Sequence, residues 1–175
     1  VSSSKNVLME DPEIKVLLNL LKLSLNMDDD IVLLSVLNSP FSKVDFFDVV
    51  KEKTATEKTL CQLVKEDEKG LFAEFKQTIA EFSKNIQIFG ARVAMSKLFD
   101  KANYRAYINE KPNQHSLNNY VDTFLAEIDG SELAYDLPGL INYFEAVQIT
   151  VQAQPTSIGD AVLLTTIHNS KGLEY

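Results

Sequence analysis

Residues 72–86, FAEFKQTIAEFSKNI, carry the clearest period in the chain. Phe72, Phe75, Ile79, Phe82 and Ile86 follow one another at intervals of three, four, three and four, with Glu74, Lys76, Glu81 and Lys84 between them. That spacing places the apolar side chains on one stripe of an α-helix and the charges on the other side. A stripe of this kind serves as a partner-binding seam or as the inner face of a helix packed on its own core, and the second use is the commoner.

Working outward, the same helical grammar repeats. Toward the N-terminus, Asp11-Pro12-Glu13 supplies a capping side chain, a first-turn proline and a first-turn acid. From Ile14 to Leu25 the helix it opens is apolar almost all round, which predicts burial on several sides. Asn26 to Asp30 breaks it, and Ile31 to Leu37 reads as a short helix ended by Asn38, Ser39 and Pro40. Ser42 or Asp45 opens another through Val50, and Thr56-Glu57 begins one through about Val64. Beyond Gly90, helical spacing resumes in Val93, Leu98 and Phe99, then Tyr104, Tyr107 and Ile108, until Lys111-Pro112-Asn113. Leu117 to Ile128 forms a further helix ended by Asp129-Gly130, and Leu137-Pro138-Gly139 opens the last, running to about Ile149. The expected architecture is mainly α, a multi-helix bundle with short connections.

Composition agrees with a folded domain. The chain has 175 residues, 45% hydrophobic and 24% charged, enough for a real core and unlike disordered, collagenous or coiled-coil chains. Seventeen basic against 25 acidic side chains give a formal charge of −8, so any contact with nucleic acid has to be local. Cys61 is the single cysteine, which excludes an internal disulfide and a multi-cysteine zinc site, and it reads as a small buried side chain. With only His115 and His168, no metal site is expected, and His115 reads as a solvated residue near a helix start. The N-terminus has no signal-peptide pattern and no run has the length and apolarity of a membrane span, so the expected location is cytoplasmic. Tyr104 and Tyr107, near Arg92, Lys101 and Arg105, have the composition of a base-stacking platform, but their spacing is that of core residues.

At the C-terminus the character changes. Gln152 to Asp160 reads as a linker with Pro155, Ser157 and Gly159, and Ala161 to Ile167 (AVLLTTI) is a continuous β-rich apolar run, the pattern of a buried strand. His168-Asn169-Ser170-Lys171-Gly172-Leu173-Glu174-Tyr175 follows, crowding polar groups at the strand's C-terminal end, where open α/β sheets place ligands. Ser170 and Lys171 are adjacent and share no face, which argues against a Ser-Lys nucleophile pair.

The stretch VLLTTIHNSKGLEY (162–175) resembles motif V of the UvrD-like superfamily 1 DNA helicases, roughly apolar-x-apolar-apolar-T-apolar-H-x-[SA]-K-G-L-E-aromatic. Residues 1–40 resemble the start of the helical 2B subdomain in the RecB and AddA branch, a group of bacterial helicase-nucleases. In that family 2B is a helical insertion into 2A, the second RecA-like motor domain, and motif V lies where the chain returns to 2A. The resemblance implies that residues 1–10 lead in from 2A, that 11–152 form a 2B-like subdomain, and that 153–175 are a linker and a truncated piece of the RecA-like α/β domain. It implies that Glu174, with Lys171 and Gly172, serves the ATP site, and that Thr165, Thr166, His168 and Ser170 lie along single-stranded DNA. Neutral donors and a cation suit phosphate oxygens, and a carboxylate suits sugar hydroxyls.

The parent enzyme would then use ATP and Mg2+ and act on single- and double-stranded DNA in recombination and double-strand-break repair, with exonuclease activity and a partner nuclease or helicase subunit implied by the branch. The chain begins at Val1 and stops on Tyr175 after a pattern that reads as unfinished, and is expected to be a piece of something longer. It contains no GxxxxGK[ST] loop, no strand-end acidic pair for Mg2+ and no arginine finger motif, so 1–175 alone is expected to be an inactive monomer with no catalytic residue or cofactor of its own. The alternative is a standalone helical interaction module whose C-terminal strand completes a partner's sheet.

Overall fold

A computed structural model describes residues 5–147 and 150–152. Among these residues the chain runs through β1 (Lys5–Val7), a 3-10 turn (Leu8–Glu10), α1 (Pro12–Leu25), α2 (Asp30–Leu37), α3 (Phe46–Thr54), α4 (Leu60–Glu66), α5 (Ala73–Phe89), α6 (Ala91–Ala102), α7 (Tyr104–Asn109), α8 (Gln114–Gly130), α9 (Leu137–Ala146) and β2 (Thr150–Gln152). The expected mainly helical bundle is what forms. No described helix is long and apolar enough to cross a membrane.

Local chemistry starts these helices. The Asp11 carboxylate accepts from the Glu13 and Ile14 amides and Pro12 occupies the first turn, so α1 begins where two orphan donors are satisfied. Asp29 caps α2, Asp45 caps α3 and Asp136 caps α9 in the same way. α1 is the central helix and touches α2, α5, α8 and α9. Its Ile14, Leu17, Leu18, Leu20, Leu21 and Leu23 are all buried, as its narrow polar face predicts. In α5 the stripe Phe75, Ile79, Phe82 and Ile86 is buried with Phe72 just ahead of it, so the period that opened the reading is intramolecular core.

Gly90 sits between α5 and α6 at φ +81°, a conformation that L side chains rarely adopt, and turns the chain so that α6 folds back along α5. Phe124 of α8 stacks on Phe144 of α9 with ring centroids 4.5 Å apart. Phe41, Phe99 and Tyr104 form a second aromatic cluster, with Tyr104 4.8 Å from Phe41 and 4.6 Å from Phe99.

Boundaries differ from expectation in three places. The helix expected from Thr56-Glu57 starts at Leu60, because Thr59 and Gln62 form a reciprocal capping box that satisfies two backbone donors at that point. The helix expected to stop at Val50 continues to Thr54, yet Val49 is its only buried residue. The last helix stops at Ala146, with Val147 already extended, and Thr150–Gln152 is a strand rather than the end of a helix or the start of a linker. The β-rich run 161–167 and the linker ahead of it lie outside the described residues.

Candidate functional site

Thr165, Thr166, His168, Ser170, Lys171, Gly172 and Glu174, to which the family resemblance assigns ATP and DNA contacts, all lie outside the described residues. The structure does describe where the chain enters the helical body and where it leaves it. β1 and β2 pair antiparallel, with Lys5 opposite Gln152, Asn6 opposite Val151 and Val7 opposite Thr150. The two ends of about 145 residues are therefore held side by side by backbone hydrogen bonds, as antiparallel strands require. Thr150 and Val151 are β-branched and suit an extended backbone.

Just above this ladder the first turn of α1 is fastened to the far side of the bundle. Leu8 is fully buried, anchoring the 3-10 turn in the core. The Glu13 Oε1 atom accepts a hydrogen bond of 2.6 Å from Lys111 Nζ and one of 3.0 Å from the Tyr107 hydroxyl. The Lys111 ammonium also lies 4.3 Å from the centre of the Tyr107 ring. The hydrogen bond from Lys111 to Glu13 raises the ammonium above its ordinary value, and burial raises the Tyr107 hydroxyl. At neutral pH this is a charged pair with a neutral phenol between α1 and the α7–α8 connection.

Other chemistry-bearing residues are occupied structurally. Tyr104 is fully buried and its ring packs on Phe41, Phe99 and Tyr107, so the two tyrosines form core rather than a stacking platform. Burial raises the Tyr104 hydroxyl strongly, and its oxygen has no hydrogen-bond partner among the described residues. Cys61 is buried, and desolvation followed by the neighbouring Asp30 carboxylate pushes its thiol up to about 12. Asp30 accepts from the Leu60 and Cys61 amides at 3.1 and 2.9 Å, fixing the start of α4 on the first turn of α2. His115 is exposed in the first turn of α8.

Among the described residues no group of three or more His, Cys, Asp or Glu side chains is placed to hold a metal ion. The hollows along α5 and α6 hold about 20 and 30 Å³, room for roughly one water each. A more open groove of about 470 Å³ runs between Asn26, Val32 and Ile141 and is crossed by the Lys22–Glu145 pair at 2.6 Å. Among the described residues the arrangement is a packed helical body whose two chain ends are paired in a two-stranded ladder, or stalk.

The sequence reading took residues 1–10 as a polar lead-in and did not identify β1. It took Glu13 as a first-turn acid, with no sign of its link to Lys111. The β-branched pair Thr150-Val151 was the available signal for the stalk. A family model described as the UvrD-like helicase C-terminal domain matches residues 2–175. No curated protein matches the chain.

Proposed function

Because the chain belongs to the UvrD-like helicase C-terminal domain family, we propose that residues 11–152 are a 2B-type helical subdomain carried on the 2A motor domain of an ATP-dependent DNA translocase. Family membership gives the chain a helicase-related function. The observation that carries the finer reading is the pairing of Lys5–Val7 with Thr150–Gln152. A domain inserted into another must leave where it entered, and a two-stranded ladder of polar composition is a physical means of doing so.

In this reading the chain passes from the stalk into Ala161–Ile167 as a strand of a RecA-like sheet, and residues 168–175 form the loop at its C-terminal end. Thr165, Thr166, His168 and Ser170 offer neutral hydrogen-bond donors to single-stranded DNA phosphates. Glu174 accepts from the ribose hydroxyls of ATP, Lys171 supplies positive charge beside the nucleotide, and Gly172 permits the tight turn between the two contacts. The parent enzyme holds Mg2+ with ATP through residues elsewhere in its chain. The pattern of residues 1–40 favours the RecB and AddA branch, with cytoplasmic recombination and double-strand-break repair as the setting, an exonuclease activity, and a partner nuclease or helicase subunit. Residues 1–175 alone lack the phosphate loop and are inactive on this reading.

The test is made in the parent enzyme. Glu174→Gln is expected to raise the ATP concentration for half-maximal turnover roughly tenfold, the loss of about one charge-assisted hydrogen bond. His168→Ala is expected to leave ATP demand unchanged while weakening stimulation by single-stranded DNA. If neither variant moves its own parameter, or if pure 1–175 hydrolyses ATP, the reading fails.

A further inference from the structure

Phe41 and Leu60 are both anchored in the helical body. Phe41 is buried and stacks on Phe99 with ring centroids 5.9 Å apart. Leu60 is buried, and its amide donates to the Asp30 carboxylate at 3.1 Å. Between these anchors Val49 is the one buried residue. The sequence accounts for this. In DFFDVVKEKT (45–54) the apolar residues Phe46, Phe47, Val49 and Val50 are bunched rather than spaced by three and four, so a helix turns Val49 inward and leaves the others outside. Phe46 is 41% exposed, Phe47 83% and Val50 42%.

Little else holds α3 down. Its side-chain hydrogen bonds are local: Asp45 accepts from the Phe47 amide at 2.7 Å, and the Thr54 hydroxyl donates to the Lys51 carbonyl at 3.0 Å. Among the described residues no hydrogen bond or ion pair joins Phe46–Thr54 to another helix, and the Lys53 charge acts on Asp30 from a distance. The pairs Lys43–Glu74 at 2.6 Å and Lys58–Glu66 at 2.5 Å lie outside the helix on either side, exposed on both partners, where such contacts contribute little. α3 packs on α4, yet a cleft of about 340 Å³ lies between Glu52 of α3 and Leu63, Leu71 and Phe72. The seam is therefore incompletely filled and gives up few dispersion contacts when it opens. A helix of 9 residues is also marginal by itself in water.

We propose that residues 42–59 form a strap that opens as a unit, pivoting beside Phe41 and Leu60, while the rest of the helical body stays folded. Closing it needs only Val49 to return to its seat, and opening it widens the cleft beside Leu63, Leu71 and Phe72. Elements that move are drawn from the low-stability end of a structure, where few apolar side chains are buried and few bonds cross to neighbours. α1, with six buried side chains, stands at the other end. The inference is independent of the helicase reading.

The test is native-state hydrogen exchange of the 1–175 chain, read amide by amide and corrected for intrinsic amide chemistry. The amides of 49–55, which close the helix from Val49 to Ala55, are expected to share one protection level and to exchange at least about a hundredfold faster than those of Leu18 to Leu23 in α1. Ile14→Val removes one methylene from the buried body, so it should speed exchange in α1 about threefold or more and leave 49–55 unchanged. Val49→Asp should abolish protection of 49–55 while α1 stays protected. The proposal is overturned if 49–55 exchange as slowly as α1, or if their protection is graded from the helix ends instead of shared. It is also overturned if Ile14→Val accelerates both helices alike, or if Val49→Asp removes protection from α1 as well.

Discussion

Glu13 Oε1 and Lys111 Nζ are 2.6 Å apart across 98 positions of sequence, joining the helix that follows the stalk to the connection between α7 and α8. Their side chains are 15% and 31% exposed, so the pair is partly shielded from water and worth more than a surface contact. Glu13→Gln is expected to cost about 1 kcal/mol and Glu13→Ala about 2 kcal/mol, because the second also strips the Tyr107 hydroxyl of its acceptor. Urea unfolding of both variants, with Lys111→Met completing a double-mutant cycle, measures the coupling. A coupling below about 0.3 kcal/mol would show that the contact contributes nothing.

The same pair sets an alkaline limit. Lys111 is raised above its usual 10.5 by Glu13 first, and Tyr107 is raised above its usual 10.0 by burial first. A raised pKa in the folded state means stability that is fully present below the unfolded value and lost as pH rises through the folded one. The wild-type advantage over Lys111→Met should therefore hold from pH 7 to 9 and shrink above about pH 10.5. Unfolding midpoints in urea against pH give the curve, and an advantage that grows with pH would contradict it.

Asp30 carries the opposite sign. Burial works to raise its carboxyl, but the hydrogen bonds from Cys61 and Leu60 together bring it below its usual 3.8. Its contribution is thus present above the ordinary carboxylate range and lost as pH falls through the lowered value. Asp30→Ala should cost about 1–2 kcal/mol, as loss of a helix cap does, and free the start of α4. Cys61 reports on it: buried and pushed up to about 12, the thiol should react slowly with a disulfide reagent at pH 8 in the wild type and several-fold faster in Asp30→Ala. Equal labelling rates would show that Asp30 does not hold α4 in place.

How much of this was legible in sequence follows from the range of each interaction. Asp11-Pro12-Glu13 opens α1, and Phe72 to Ile86 spaces a buried stripe, because caps and helix faces are set within a few residues. Thr59 to Gln62 was missed although it is also local, since Thr56-Glu57 offers a competing start and only geometry chooses between them. The stalk and the Glu13–Lys111 contact join residues about a hundred or more positions apart, and no periodicity records such pairings. The resemblance of residues 162–175 to motif V is a pattern of residue types, and those residues lie outside the described chain.

Gly90 separates backbone cost from side-chain cost. At φ +81° and ψ 162° it occupies a region that is essentially glycine's own, while a Cβ there would meet Ala134 and Tyr135 at 3.4–3.6 Å, tight to ordinary contact. Gly90→Ala should therefore lose about 1–3 kcal/mol through the backbone alone. Gly130 is the control: it ends α8, and nothing lies within 4 Å of the position its Cβ would take. Gly130→Ala should be stabilising by roughly 0.5–1 kcal/mol. Thermal unfolding that gives the two substitutions the same sign would refute the assignment of strain to Gly90.

Tyr104 makes the least intuitive prediction. Its ring is fully buried among Phe41, Phe99 and Tyr107, yet its hydroxyl has no hydrogen-bond partner among the described residues, which costs about 1–3 kcal/mol relative to a satisfied group. Tyr104→Phe keeps the ring and its packing and removes only the unpaired oxygen, leaving a gap too small to cost much. The substitution should raise the urea midpoint or leave it unchanged, whereas Tyr104→Ala should lose about 3–5 kcal/mol. Destabilisation by more than about 1 kcal/mol in Tyr104→Phe would mean that a buried water satisfies the hydroxyl and that the site is polar after all.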